Sequence, residues 1–96
     1  MIKIIWAYKE KDPLKVFLES QLNAADLKGY EVKKFSIDRL PELIDLYELK
    51  QWCNVIFLNK DGKKIAVFEG PFSSKDIENT LEFIEEIIKI SKERGF

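Results

Sequence analysis

Apolar residues fall along the chain in two rhythms, and the switches between them lay out a set of elements. Ile2, Ile4, Ile5, Trp6 and Ala7 form a nearly unbroken apolar run. Such a run suits a strand buried on both faces, at the centre of a sheet with helices on each side. It stops at Lys9-Glu10-Lys11-Asp12. Asp12-Pro13 reads as a helix start, because Asp caps free N–H groups and Pro suits the first helical position. Leu14, Phe17, Leu18 and Leu22 follow at helical spacing, and this helix ends by Gly29, with Asn23 and Lys28 as its earlier and later limits.

Tyr30 to Ile37 is a second strand, in which Val32, Phe35 and Ile37 share the run with Lys33 and Lys34. Its polarity places it nearer an edge of the sheet. Asp38 to Pro41 marks the next helix start, with Leu40, Leu43, Ile44 and Tyr47 as its stripe and Leu46 and Leu49 beside it. Asn54 to Leu58 is a third strand and Ile65 to Phe68 a fourth. Asn59-Lys60-Asp61-Gly62 joins them as a hairpin turn, since Asp-Gly supplies the positive φ that tight turns need. Gly70-Pro71 ends the fourth strand. Ser73 or Ser74 then caps a long last helix to about Lys92, with Ile77, Leu81, Ile84 and Ile88 as its main stripe.

The order is β-α-β-α-β-β-α. Strands separated by helices are expected to pair in parallel through right-handed crossovers, and the closing hairpin is antiparallel. The expectation is an α/β fold, a four-stranded mixed sheet with helices on both faces, in a single domain over residues 1–96.

Four stretches give this order a family likeness. Ile4-Ile5-Trp6-Ala7 resembles the end of the first thioredoxin strand, before the active-site loop. Tyr47-Glu48-Leu49, followed by Trp52-Cys53-Asn54-Val55-Ile56-Phe57, resembles the approach to the third strand. Lys60-Asp61-Gly62-Lys63 resembles the hairpin, and Glu69-Gly70-Pro71-Phe72 the loop before the last helix. The chain thus resembles the thioredoxin-like fold family over about residues 2 to 90. The departures are as informative. The family's Cys-x-x-Cys positions match Glu10 and Pro13, its buried first-strand acid matches Ile4, and its cis-proline matches Cys53. A dithiol is needed because one sulfur attacks and the second resolves the mixed disulfide. Without proline a cis bond costs about 2.5–4 kcal/mol, so trans geometry is expected at Cys53. The resemblance therefore implies a redox-inactive member.

That reading makes the loops around Glu10, Trp52, Cys53, Gly70, Pro71 and Phe72 the candidate surface for a protein or peptide partner. A Trp beside a Pro in a shallow groove can anchor an extended peptide; equally, Trp52 caps the sheet end and Phe72 staples the last helix. Cys53 also reads two ways. The resemblance sets it facing the first helix N-terminus near Lys9 and Lys11, where a thiolate is favoured, with Glu10 and Asp12 opposing. This makes it the weak catalytic candidate of a single-cysteine thiol enzyme, forming mixed disulfides or reacting with peroxide. Alternatively it is a small buried apolar side chain, the usual place of a free Cys. Lys9 to Asp12 reads as a solvated connection more readily than as a polar recognition loop.

The last helix carries a second stripe, Phe83, Ile87 and Ile90. It is a candidate interface for self-association, such as a homodimer, or it packs beneath neighbouring elements, the reading favoured for Ile87. Asp76, Glu78, Glu85 and Glu86 read as the solvent face of that helix, with Glu85–Lys89 at ion-pair spacing.

Composition removes whole classes of function. The 96 residues hold 16 Lys plus Arg and 17 Asp plus Glu, a net charge of −1, without the basic excess of a nucleic-acid binder. There is no histidine, which removes His-based catalysis and His metal sites. One cysteine allows neither an internal disulfide nor a multi-Cys zinc site. Single, scattered glycines make no phosphate-binding motif. No metal or cofactor is expected. No apolar run reaches the ~18–20 residues of a membrane span. The N-terminus does not read as a secretory leader, so no membrane role and a cytoplasmic setting are expected. High Lys, Glu and Ile content suits a heat-adapted source.

Overall fold

The computed structural model describes residues 2–49 and 54–93. In chain order they form β1 (Lys3–Tyr8), α1 (Lys15–Ala24), β2 (Glu31–Ser36), α2 (Glu42–Leu46), β3 (Asn54–Leu58), β4 (Lys64–Glu69) and α3 (Ser74–Glu93). The strands make one sheet in the order β2-β1-β3-β4. The two strands with nearly unbroken apolar runs, β1 and β3, take the centre, where the sheet is covered on both faces.

The two faces carry separate cores. On one, Ile4, Trp6, Val55 and Phe57 of the sheet pack against Leu18 and Leu22 of α1 and Ile77, Leu81 and Ile84 of α3. On the other, Ile5, Ala7, Ile56 and Leu58 meet Ile37, Leu43 and Leu49 around α2. Alternation along β1 and β3 thus feeds both layers.

One pairing departs from expectation. β1 and β2 are parallel, in register Ala7 with Phe35, but β3 runs antiparallel to β1, with Ala7 opposite Asn54. β3 enters the sheet from the end at which β2 leaves it. Glu48, at φ 56°, follows α2 in the left-handed region that terminates helices.

The local signals at the turns hold. Asn59 Oδ1 accepts from the backbone N–H groups of Asp61 (2.9 Å) and Lys63 (3.0 Å), and Gly62 sits at φ 84°. At the start of α3, Asp76 N–H donates to Ser73 Oγ (3.2 Å) and Ser73 N–H donates to Asp76 Oδ2 (2.8 Å). This reciprocal pair is a capping box with Asp in the acidic position. Ser73→Ala is expected to lower the unfolding free energy by about 1 kcal/mol, read as a shift in the urea midpoint with an unchanged m-value.

The expected Glu85–Lys89 pair is not among the ion pairs of the described residues. Glu85 Oε1 instead accepts from the Tyr30 hydroxyl at 3.1 Å. Burial, then that hydrogen bond and the Glu85 charge, raise the Tyr30 phenol above its ordinary value. Among the described residues no helix is long and apolar enough to cross a membrane.

Candidate functional site

The register brings several connections to one end of the sheet. Tyr8 lies beside Ser36, Ala7 beside Asn54, and Asn54 beside Glu69. The β1–α1 loop, the β2–α2 connection and Gly70-Pro71 therefore all gather there. Strand carboxyl ends flanked by helices on opposite faces are the usual ligand position in open α/β sheets.

The β1–α1 loop is fastened down. Glu10 N–H donates to Asp38 Oδ2 at 2.9 Å, and the Glu10 carboxylate pairs with Arg39 Nε at 3.1 Å. Both partners come from the β2–α2 connection, so the two loops are strapped together across the end of the sheet. Asp12 does cap a free N–H, that of Leu14 at 2.9 Å, but as a local turn. The α-helix itself begins at Lys15. Between the strapped loops lies an open depression of about 550 Å³, lined by Lys9, Glu10, Lys11, Asp12, Pro13 and Asp38.

Helical spacing grouped Leu14 and Phe17 with Leu18 and Leu22, and the structure separates them. Leu18 and Leu22 are in the core, while Leu14 is 42% and Phe17 52% exposed. Phe17 stands about 100° around α1 from the buried Leu18, off the face that packs on the core. Leu14 and Phe17 join Pro13 in an apolar shoulder at the polar depression, and these two are the residues of this end that the sequence did not mark as site candidates.

Gly70 is buried with φ 93°, a conformation that side chains rarely adopt, and Pro71 is exposed. Phe72 corrects the expectation of a binding side chain. It is 2% exposed and makes edge-on ring contacts with Trp6 at 6.4 Å and Phe68 at 6.5 Å. A ring so enclosed holds α3 to the sheet and offers a partner no surface. Trp52 and Cys53 lie outside the described residues. Ile4, at the position of the family's buried acid, is wholly enclosed among apolar neighbours. No group of metal-ligating side chains occurs among the described residues.

No protein-family model matches the sequence, and no curated protein matches it. Solved structures do. Thioredoxin 1 from the thermophilic eubacterium Thermosipho africanus superposes at a TM-score of 0.71, with 23% identity over 91% of this chain and 98% of that one. The chain has a thioredoxin-like fold. A mutant thioredoxin from Halobacterium salinarum gives a TM-score of 0.74 with 16% identity, covering 84% of this chain and 72% of the other. An uncharacterized thioredoxin-like protein from Clostridium perfringens gives 0.73 with 21% identity, covering 85% and 69%. At these identities the likeness is one of architecture. The thioredoxin-like chain carries a single cysteine, so no dithiol–disulfide couple can form within its 96 residues.

Proposed function

We propose that this chain is a non-catalytic thioredoxin-like binding module for a protein or peptide partner, with the strapped sheet end as its binding surface. The observation that carries the reading is the fastening of Glu10, which the resemblance sets where the family has a sulfur, by its backbone to Asp38 and by its side chain to Arg39. A carboxylate engaged in this way stabilises a loop and has no part in thiol exchange. Beside it, Pro13, Leu14 and Phe17 supply an exposed apolar surface that a partner's apolar side chain can cover.

Two measurements test the reading together. The purified chain is expected to leave the rate of insulin reduction by dithiothreitol at its uncatalysed value. Backbone amide NMR shifts, followed while a library of extended peptides with apolar anchors is titrated, are expected to move at residues 9–12, 14–17 and 70. Phe17→Ser is expected to weaken the best peptide about tenfold or more. Catalysed insulin reduction, or shifts confined to other surfaces, would refute the proposal.

A further inference from the structure

Two places away from the strapped loops are left partly open. One is the second stripe of α3. Phe83 is 66%, Ile87 46% and Ile90 43% exposed, so Ile87 does not pack beneath a neighbour as expected. These three side chains are apolar and carry no group that would select an occupant. The other is a pocket of about 360 Å³ on the α2 face of the sheet, and its lining is mixed. Its volume falls within the ~300–1,000 Å³ of small-ligand sites. It shares no described lining residue with the depression between the strapped loops.

Strand register builds this pocket. Glu31, Lys3, Leu58 and Lys64 stand in one row across the four strands, and Lys33 stands beside Ile5 in the next. Side chains alternate between faces, so Lys3, Glu31 and Lys33 share the face of Ile5 and Phe35, the one that packs toward α2. Ile5, Phe35 and Leu58 of the sheet, with Leu43 and Tyr47 over them, supply apolar surface. Lys3, Lys33 and Glu31 supply the charge. Lys3 Nζ lies 3.8 Å and Lys33 Nζ 3.4 Å from the Glu31 carboxylate, and all three side chains are about half exposed. One carboxylate thus serves two ammonium groups, and a positive charge is left over beside the apolar wall. Lys64, at the far end of the row, adds to it. Its Nζ donates to the Tyr47 carbonyl at 2.8 Å and has no carboxylate partner among the described residues.

We propose that this pocket binds a small monocarboxylate with an apolar ring or chain. Its body lies against Ile5, Leu43 and Tyr47, and its carboxylate sits between Lys3 and Lys33, sharing their ammonium groups with Glu31. The lining narrows the choice from both sides. A hydroxyl-rich ligand would leave polar groups unmet against Leu43 and Leu58. A cation is repelled by the surplus of ammonium groups, and a purely apolar ligand gains nothing from them. An ammonium–carboxylate contact is a charge-assisted hydrogen bond, stronger than a neutral one. The site lies apart from the surface of the binding module above and stands independently of it.

Amide NMR titration with 4-phenylbutanoate tests the proposal. Shifts are expected at Lys3, Ile5, Lys33, Phe35 and Leu43, with residues 9–12 unmoved. The neutral 4-phenylbutanamide is expected to bind about tenfold more weakly, or worse. Lys3→Gln combined with Lys33→Gln is expected to weaken the acid by about the same factor. Glu31→Gln frees both ammonium groups and is expected to tighten the acid about threefold or more, a direction that a merely structural ion pair does not give. These positions are half exposed, so the circular dichroism spectrum is expected to stay unchanged in every variant. Shifts away from the pocket, an amide that binds as tightly as the acid, or a Glu31→Gln variant that binds no tighter would each overturn the proposal. Inorganic phosphate moving the same amides as strongly would do so too. A peptide ending in phenylalanine that binds more tightly than the free acid would hand the site to a chain terminus and also overturn it.

Discussion

Trp6→Ala is expected to lower the unfolding free energy by about 3–5 kcal/mol, out of a total that for domains of this kind is about 5–15 kcal/mol. Trp6 sits in the central strand, 1% exposed. Its ring lies 4.9 Å from Tyr8 and edge-on to Phe72, within the core shared by α1 and α3. Truncation leaves a cavity bounded by the sheet and by two helices that cannot all close in. The indole N–H finds no hydrogen-bond partner among the described residues. The contribution of the ring is therefore packing, and Trp6→Phe is expected to be much milder than Trp6→Ala. Urea unfolding followed by far-UV circular dichroism measures both. Equal losses for the two variants would contradict this account.

Phe72→Ala is expected to cost a similar ~3–5 kcal/mol, whereas Pro71→Ala, one residue earlier and exposed, is expected to change stability by about half a kcal/mol or less. The contrast separates the two meanings of the Gly70-Pro71-Phe72 loop. Phe72 joins the end of β4 to the core through its ring contacts, so its loss loosens the seat of α3. Pro71 stands at the surface of the sheet end. Should that end hold a partner, Pro71→Ala weakens the complex and leaves the fold intact. Chemical denaturation read alongside peptide titration gives both quantities for each variant. Since Trp6 and Phe72 touch, the double variant is expected to lose less than the sum of the two.

Much of this architecture could be read from local chemistry. The unbroken runs of β1 and β3 located the sheet centre, Lys33 and Lys34 placed β2 at a border, and Ser73 and Gly62 marked a helix start and a turn. Each signal is contained within a few residues. What escaped depended on distances beyond that window. The direction of β3 depends on where the connection after β2 delivers the chain, which no stripe of leucines reports. The exposure of Leu14 and Phe17 depends on which side of the segment meets the core, which apolar spacing alone does not report. Phe72 carried the same loop signal as Pro71, yet the one points into the core and the other away from it. The likeness to thioredoxins supplied the candidate positions, and burial then divided them into packing residues and surface residues.

The strap between the two loops has a bearing on how tightly anything docks at the sheet end. A free surface loop gives up many conformations when it is captured, and that loss is subtracted from affinity. Here the backbone of Glu10 is already held by Asp38 and its side chain by Arg39. That loop is already held in the folded chain, so docking at this end would lose little to its ordering.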